Sequence, residues 1–318
     1  MAAGLGVGDV LCFAIVAGSV AASLWATLLR RRLPPAAASS SSCVPPHDEF
    51  TGSTPAVWSG AAHPAAAAAW LLLASRAAAV VALAAVLLWD AVTYGIAIMM
   101  YYTEWTIVLE IVYFTIATLF SAYGCFIYSS SNNRRVRVTI LPVRQSHDES
   151  VLSNSLVEIN HGDDQKGGAR AVLYQLGRFM QIVYQVLGGA VVLTDVVFWA
   201  LIAPFMYSSR LSLNAVMGCT HSFNIVFLLI ETTLNNLEFP WFRLTYFVLW
   251  TCSYVIIQWI AHGCGLTWWP YPFLNPAAPW APLWYFCIAL LHLACYAVYW
   301  SIVRGKNWWL NSYIIPAY

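Results

Sequence analysis

The sequence predicts an all-α polytopic membrane helical bundle with about seven transmembrane helices. Of its 318 residues, 60% are hydrophobic and only 9% are charged, whereas a soluble domain carries about 25% charged residues. Apolar runs close to the roughly 20 residues that cross a bilayer recur along the chain. The net charge of +1 provides no basic field that would attract nucleic acid, so no nucleic-acid partner is expected.

The first predicted helix is an uncharged run, Val10–Leu29, that ends at three arginines. A signal peptide carries its positive charge before a shorter apolar core. We therefore interpret this run as a retained transmembrane helix within an N-terminal unit, residues 1–32. Residues 33–76 follow, and their Pro-rich and Ser-rich composition predicts a flexible cytosolic linker.

The remaining helices fall into two groups separated by a polar segment. Residues 77–128 contain the second and third predicted helices, and residues 129–178 form a polar segment whose middle is acidic and Gly/Ser-rich. We expect that segment to be a flexible cytosolic insert that offers a site for cytosolic protein partners. Residues 179–318 contain four further helices and a short tail. The six predicted helices are Ala77–Met100, Thr106–Tyr128, Phe179–Tyr207, Leu213–Leu237, Trp241–Ala261 and Trp280–Val303.

The distribution of basic residues predicts the orientation, since cytoplasmic loops collect Lys and Arg. When seven helices alternate from a non-cytosolic N-terminus, fourteen of the fifteen Lys and Arg fall on the inner side and Arg210 alone on the outer side. We therefore expect a non-cytosolic N-terminus and a cytosolic C-terminus. The endoplasmic reticulum and the plasma membrane both suit such a multi-pass protein.

Several ionisable and amide side chains fall inside the predicted helices, where a charge costs at least about 2.5–3.5 kcal/mol. These residues are Asp90, Glu110, Asp195, His221, Asn224 and Glu231. Hydrogen bonds between helices would account for each of them. His221 and Asn224, three residues apart, share one helix face, and Thr106 and Glu110, four apart, share another.

The predicted topology places some of these groups in one leaflet. The third and fifth helices both begin at the outer side, and the sixth helix ends there with His262. At a rise of 1.5 Å per residue, His221 lies about 12 Å below the start of its helix, in the same leaflet as Thr106 near the start of the third helix. A hydroxyl, the carboxylate of Glu110 and two imidazoles are therefore expected to converge there.

A hydroxyl and an imidazole within hydrogen-bonding distance form a nucleophile–base pair that can cleave an ester. Glu110 or Asn224 would fix the tautomer of the imidazole. Three other threonines of the same helix have an equal claim from spacing: Thr103, Thr115 and Thr118. The chain contains no CxxC, HxxxH or HxxE spacing and no glycine-rich phosphate loop, so neither a metal nor a cofactor is expected.

Two blocks in the C-terminal half carry a family resemblance. The first contains Thr220-His221-Ser222-Phe223-Asn224, and the second contains Ala261-His262 and ends in Tyr271-Pro272-Phe273-Leu274. In this order the blocks resemble the androgen-induced/androgen-dependent multipass membrane hydrolases, over roughly residues 105–303. The additional first helix and the long insert are similar to the outline of Rolling stone-like membrane proteins.

The first resemblance implies a threonine hydrolase that cleaves fatty acid esters of hydroxy fatty acids. It implies Thr106 as the nucleophile and His221 as the base, with Glu110, Asn224 and His262 in supporting roles. The membrane lipids around the protein would then include its substrate. The Rolling stone likeness implies instead a non-catalytic scaffold or signalling protein. A transporter or proton-coupled channel that uses Asp90, Asp195 and Glu231 is a third hypothesis, and it requires a continuous polar path through both leaflets.

Overall fold

The computed structural model describes residues 6–32, 66–140, 163–204 and 215–313, and these ranges contain helices but no strand. The α-helices are α1 (Val7–Arg32), α2 (Ala66–Tyr94), α3 (Tyr102–Ile140), α4 (Asp163–Val196), α5 (Ala215–Thr220), α6 (Phe223–Leu234), α7 (Leu244–Gly263) and α8 (Ala281–Tyr313). A π-helix, Val197–Ile202, continues α4. Three 3₁₀ helices lie between the α-helices: Ile96–Met100, Trp241–Arg243 and Pro272–Leu274.

Seven segments of the described residues are long and apolar enough to cross a membrane, with α5 and α6 together forming one of them. Large apolar side chains cover the outer surface of the bundle, including Val92, Leu119 and Phe126. Water would not tolerate so large a continuous apolar surface, whereas lipid does. The chain is therefore a multi-pass membrane protein, and the predicted all-α membrane bundle is confirmed.

The helices extend into both segments that the sequence predicted to be flexible. α2 begins at Ala66, eleven residues before the predicted start, within a run of alanines that favours helix. α3 continues to Ile140 and α4 begins at Asp163, so both ends of the predicted insert are helical. Residues 33–65 and 141–162, the rest of the predicted linker and insert, lie outside the described residues.

α4 lies at the centre of the bundle and contacts α3, α6, α7 and α8. Two consecutive glycines allow large rings to approach its backbone. A Cβ added to Gly188 would lie 2.5 Å from Tyr299 and 2.6 Å from Phe239, and one added to Gly189 would lie 2.6 Å from Cε1 of Phe247. Small residues at such positions let membrane helices pack closely, so this glycine pair sets the spacing at the centre of the bundle.

A buried ion pair joins α2 to α6. Arg76 donates from Nε to Glu231 Oε2 at 2.9 Å and from Nη2 to Glu231 Oε1 at 2.5 Å. Tyr113 and Asn235 also donate to Oε1 of this carboxylate, at 2.7 and 3.1 Å, and Arg76 Nη1 donates to the Ala117 carbonyl oxygen. Because both charges have several partners, the cluster satisfies groups that lipid could not solvate. Arg76, which marked a helix end in the sequence prediction, lies inside α2.

Candidate functional site

Two adjacent cavities of about 1030 and 300 Å³ meet near the first turn of α3. The larger lies at the end of the bundle where α2 ends and α3 begins, which we call the cavity end, and the smaller extends from it to Val248 of α7 and Leu293 of α8. Both volumes fall near the range of small-molecule sites, about 300–1,000 Å³. Six residues line both cavities and mark their junction: Thr103, Phe198, Ile202, His221, Tyr271 and Phe273.

The smaller cavity lies between α1, α4, α7 and α8, and its walls are mainly apolar. Ile15 and Val16 of α1 face Val248 of α7 and Ala289 of α8 across it. His292 adds a buried imidazole, whose Nδ1 bonds to the carbonyl oxygen of its own helix at 2.7 Å. An environment of this kind suits a hydrocarbon chain, since removing apolar surface from water is favourable.

Thr103 lies in the first turn of α3 and is nearly buried at the cavity junction. The connection before α3 fixes its position, because Tyr254 and Gln258 of α7 both donate to the Met100 carbonyl oxygen, at 2.8 and 2.9 Å. The side chains of Thr103 and Tyr271 both line the junction of the two cavities. Burial raises the pKa of Tyr271 to about 12, so its phenol stays protonated at neutral pH and remains a hydrogen-bond donor.

His221 lies in the turn between α5 and α6, at a break in what the sequence predicted as one continuous helix. Its ring stacks on Phe198 with the ring centroids 3.6 Å apart, and its backbone carbonyl accepts a 3.1 Å bond from Trp199 Nε1. Both aromatic residues belong to the π-helix that ends α4, a feature often found at functional sites. His221 Nδ1 has no hydrogen-bond partner among the described residues.

Thr106 lies one turn deeper in α3 and lines neither cavity. It is 0% exposed, and its hydroxyl donates to the Tyr102 carbonyl oxygen at 3.0 Å. Threonines within helices often bond back to their own backbone in this way. Because α3 begins at Tyr102 rather than at the predicted Thr106, the structure brings Thr103, not Thr106, to the cavity wall with His221.

The three predicted supporting residues lie away from the cavity walls. Glu110 is fully buried in α3, and neither carboxyl oxygen has a hydrogen-bond partner in the described part of the chain. Asn224 donates to Asp195 Oδ1 at 3.3 Å, which binds α6 to α4. His262 stacks on Trp269 with the ring centroids 4.3 Å apart. The structure therefore gives none of the three a contact with the His221 ring.

Two carboxyl groups in the larger cavity escaped the sequence-based assignment of site residues. Asp90 lies about one turn before the end of α2, Glu104 lies in the first turn of α3, and both line this cavity. Their position on either side of the short 95–101 connection was a signal in the sequence, since the ends of consecutive antiparallel helices lie together. Within the described ranges, no group of three His, Cys, Asp or Glu side chains could hold a metal ion.

Comparisons with protein-family models, with curated proteins and with solved structures give no match to this chain. The family resemblance and the activity that it implies therefore stay predictions.

Proposed function

We propose that this protein binds a lipid ester within the membrane and hydrolyses it, with Thr103 as the nucleophile and His221 as the general base. One observation carries the proposal: a hydroxyl and an imidazole from separate membrane spans line the junction of an apolar cavity and a larger, more polar one. An acyl chain in the smaller cavity would place its ester bond near this junction.

The reaction follows the two-step course of hydroxyl nucleophiles. His221 takes the proton of Thr103 as Oγ1 attacks the ester carbonyl carbon, and a tetrahedral intermediate forms. When the C–O bond of the ester breaks, His221 returns the proton to the leaving alcohol, and the acyl group stays on Thr103. Water, deprotonated by His221, then attacks the acyl carbon; the bond to Thr103 Oγ1 breaks, His221 returns the proton to Oγ1, and the fatty acid is released. The phenol of Tyr271, next to the nucleophile, is the candidate donor to the oxyanion.

Two matched pairs of variants test this assignment in purified protein with a long-chain fluorogenic ester. Thr103→Ala and His221→Ala should each abolish hydrolysis, because each removes a reacting group. Thr106→Ala and His262→Ala should retain it, because neither residue lines a cavity. Labelling by a hydroxyl-directed fluorophosphonate probe should follow the same pattern. Hydrolysis that survives both Thr103→Ala and His221→Ala would exclude this mechanism.

A second function, a non-catalytic scaffold of the Rolling stone type, is favoured by a different observation. α3 and α4 continue as helices past their membrane spans, to Ile140 and from Asp163. Such helical extensions could present residues 129–178 to cytosolic protein partners. Deleting residues 141–162 should then abolish partner binding, whereas Thr103→Ala should leave partner binding intact. Partner binding that survives the deletion, or that is lost in Thr103→Ala, would reject the scaffold function.

A further inference from the structure

The larger cavity contains a pair of carboxyl groups with little access to other polar partners. Asp90 is 7% exposed and Glu104 is 4% exposed. Both side chains line the cavity, one from each of the two helices that the 95–101 connection joins. Glu104 Oε2 has no hydrogen-bond partner among the described residues. Within the described ranges no Lys or Arg forms a salt bridge with either carboxyl group, so a negative charge on this pair has no counterion there.

Aromatic rings form much of the remaining wall. Tyr101, Trp268, Trp280 and Trp284 line the same cavity, and Tyr101 packs against Trp268 with the ring centroids 6.1 Å apart. No Lys or Arg belongs to the described lining of this cavity. The face of an aromatic ring attracts a cation through its quadrupole, and sites for quaternary ammonium groups are built from such rings.

We propose that the larger cavity binds the cationic head group of an amphiphile, a quaternary or protonated amine, while its hydrocarbon chain occupies the smaller cavity. The carboxyl pair supplies opposite charge, and the aromatic rings supply a surface suited to a weakly hydrated cation. The proposal extends the proposed function by naming the head group of the substrate. It rests on the proposed function only where it calls this ligand a substrate, because the binding itself does not require catalysis. A ligand with a free carboxylate would meet like charge at this site.

Two simpler roles would account for parts of this arrangement. Trp and Tyr are common at membrane interfaces without any ligand, and a carboxyl pair can simply join α2 to α3. Neither role predicts discrimination between head groups on the same chain. Head-group selectivity, and its dependence on Glu104, therefore decides between them and a ligand site.

The test measures binding, not catalysis, in the full-length Thr103→Ala variant purified in an uncharged maltoside detergent. Three radiolabelled probes share one chain length: tetradecyltrimethylammonium, monomyristoylglycerol and myristate. We expect the cationic probe to bind most tightly and myristate most weakly. Glu104→Gln should weaken binding of the cationic probe about tenfold, the loss expected for one charge-assisted contact, and should leave the neutral probe unchanged.

Two further variants keep the result interpretable. Glu238→Gln removes a carboxylate at the exposed opposite end of the bundle and should change nothing. Trp280 is 70% exposed and lines the cavity, so Trp280→Leu should fold normally and weaken binding of the cationic probe alone. Equal affinity for the three probes, or unchanged selectivity in Glu104→Gln, would overturn the proposal. Thr103-dependent hydrolysis without head-group selectivity would leave the proposed function standing.

Discussion

Replacing Arg76 by leucine should destabilise the protein strongly, because it leaves the buried carboxylate of Glu231 without its counterion. Both side chains are 1% exposed, and their N–H···O distances are 2.5–3.1 Å. Removing one member of a buried ion pair costs about 3–5 kcal/mol. Tyr113 and Asn235 would still donate to Glu231, so we expect a loss near the lower limit, about 3 kcal/mol.

Unfolding of the purified protein in mixed micelles, followed by tryptophan fluorescence, measures this loss. The double variant Arg76→Leu/Glu231→Leu should recover most of the stability, because no uncompensated charge remains. Arg76→Lys keeps the charge but loses the planar guanidinium group that contacts both carboxylate oxygens. The stability of this variant should therefore lie between those of the wild type and Arg76→Leu.

Two outcomes would refute this reasoning. A loss under about 1 kcal/mol for Arg76→Leu would show that the pair behaves as an exposed ion pair does. A double variant that loses as much stability as the sum of the two single variants would show that the two charges do not compensate each other.

Two other predictions concern the site and the bundle centre. Tyr271→Phe should lower kcat for ester hydrolysis about 10²-fold with KM unchanged, because it removes one donor to the oxyanion; an unchanged kcat would exclude that role. Gly189→Ala should cost about 1–3 kcal/mol on unfolding, since its Cβ would overlap the ring of Phe247. Gly218→Ala is the matched control, because nothing lies within 4 Å of its added Cβ, and an equal loss in both variants would contradict the packing explanation.

The number of membrane spans could be predicted because the signal is local. Each span is a run of apolar residues whose length and hydropathy need no knowledge of the rest of the chain. The start of α2 could not be predicted, since Arg76 looked like the end of an apolar run. Its partner, Glu231, lies 155 residues later, and only the folded bundle shows that this charge is neutralised inside a helix.

The position of the cavity-lining threonine, Thr103, was missed for a similar reason at the scale of one helical turn. The family resemblance pointed to Thr106, and the predicted helix began there. The actual start at Tyr102 depends on contacts that Tyr254 and Gln258 make with the Met100 carbonyl oxygen, from another helix. His221 was assigned from its sequence context. The sequence did not show the break between α5 and α6, nor the π-helix that contains Phe198, the stacking partner of His221.

The two ends of the bundle differ in a way that bears on the transporter hypothesis. The larger cavity lies at the cavity end, whereas Arg76 and Glu231 join α2 to α6 toward the opposite end. Tyr113, Tyr184 and Tyr299, all buried, pack beside this ion pair. A substrate that crossed the bundle there would have to separate the pair, at a cost of about 3–5 kcal/mol for the broken contact. A ligand that enters and leaves at the cavity end meets no such barrier, which favours a binding site there over transport.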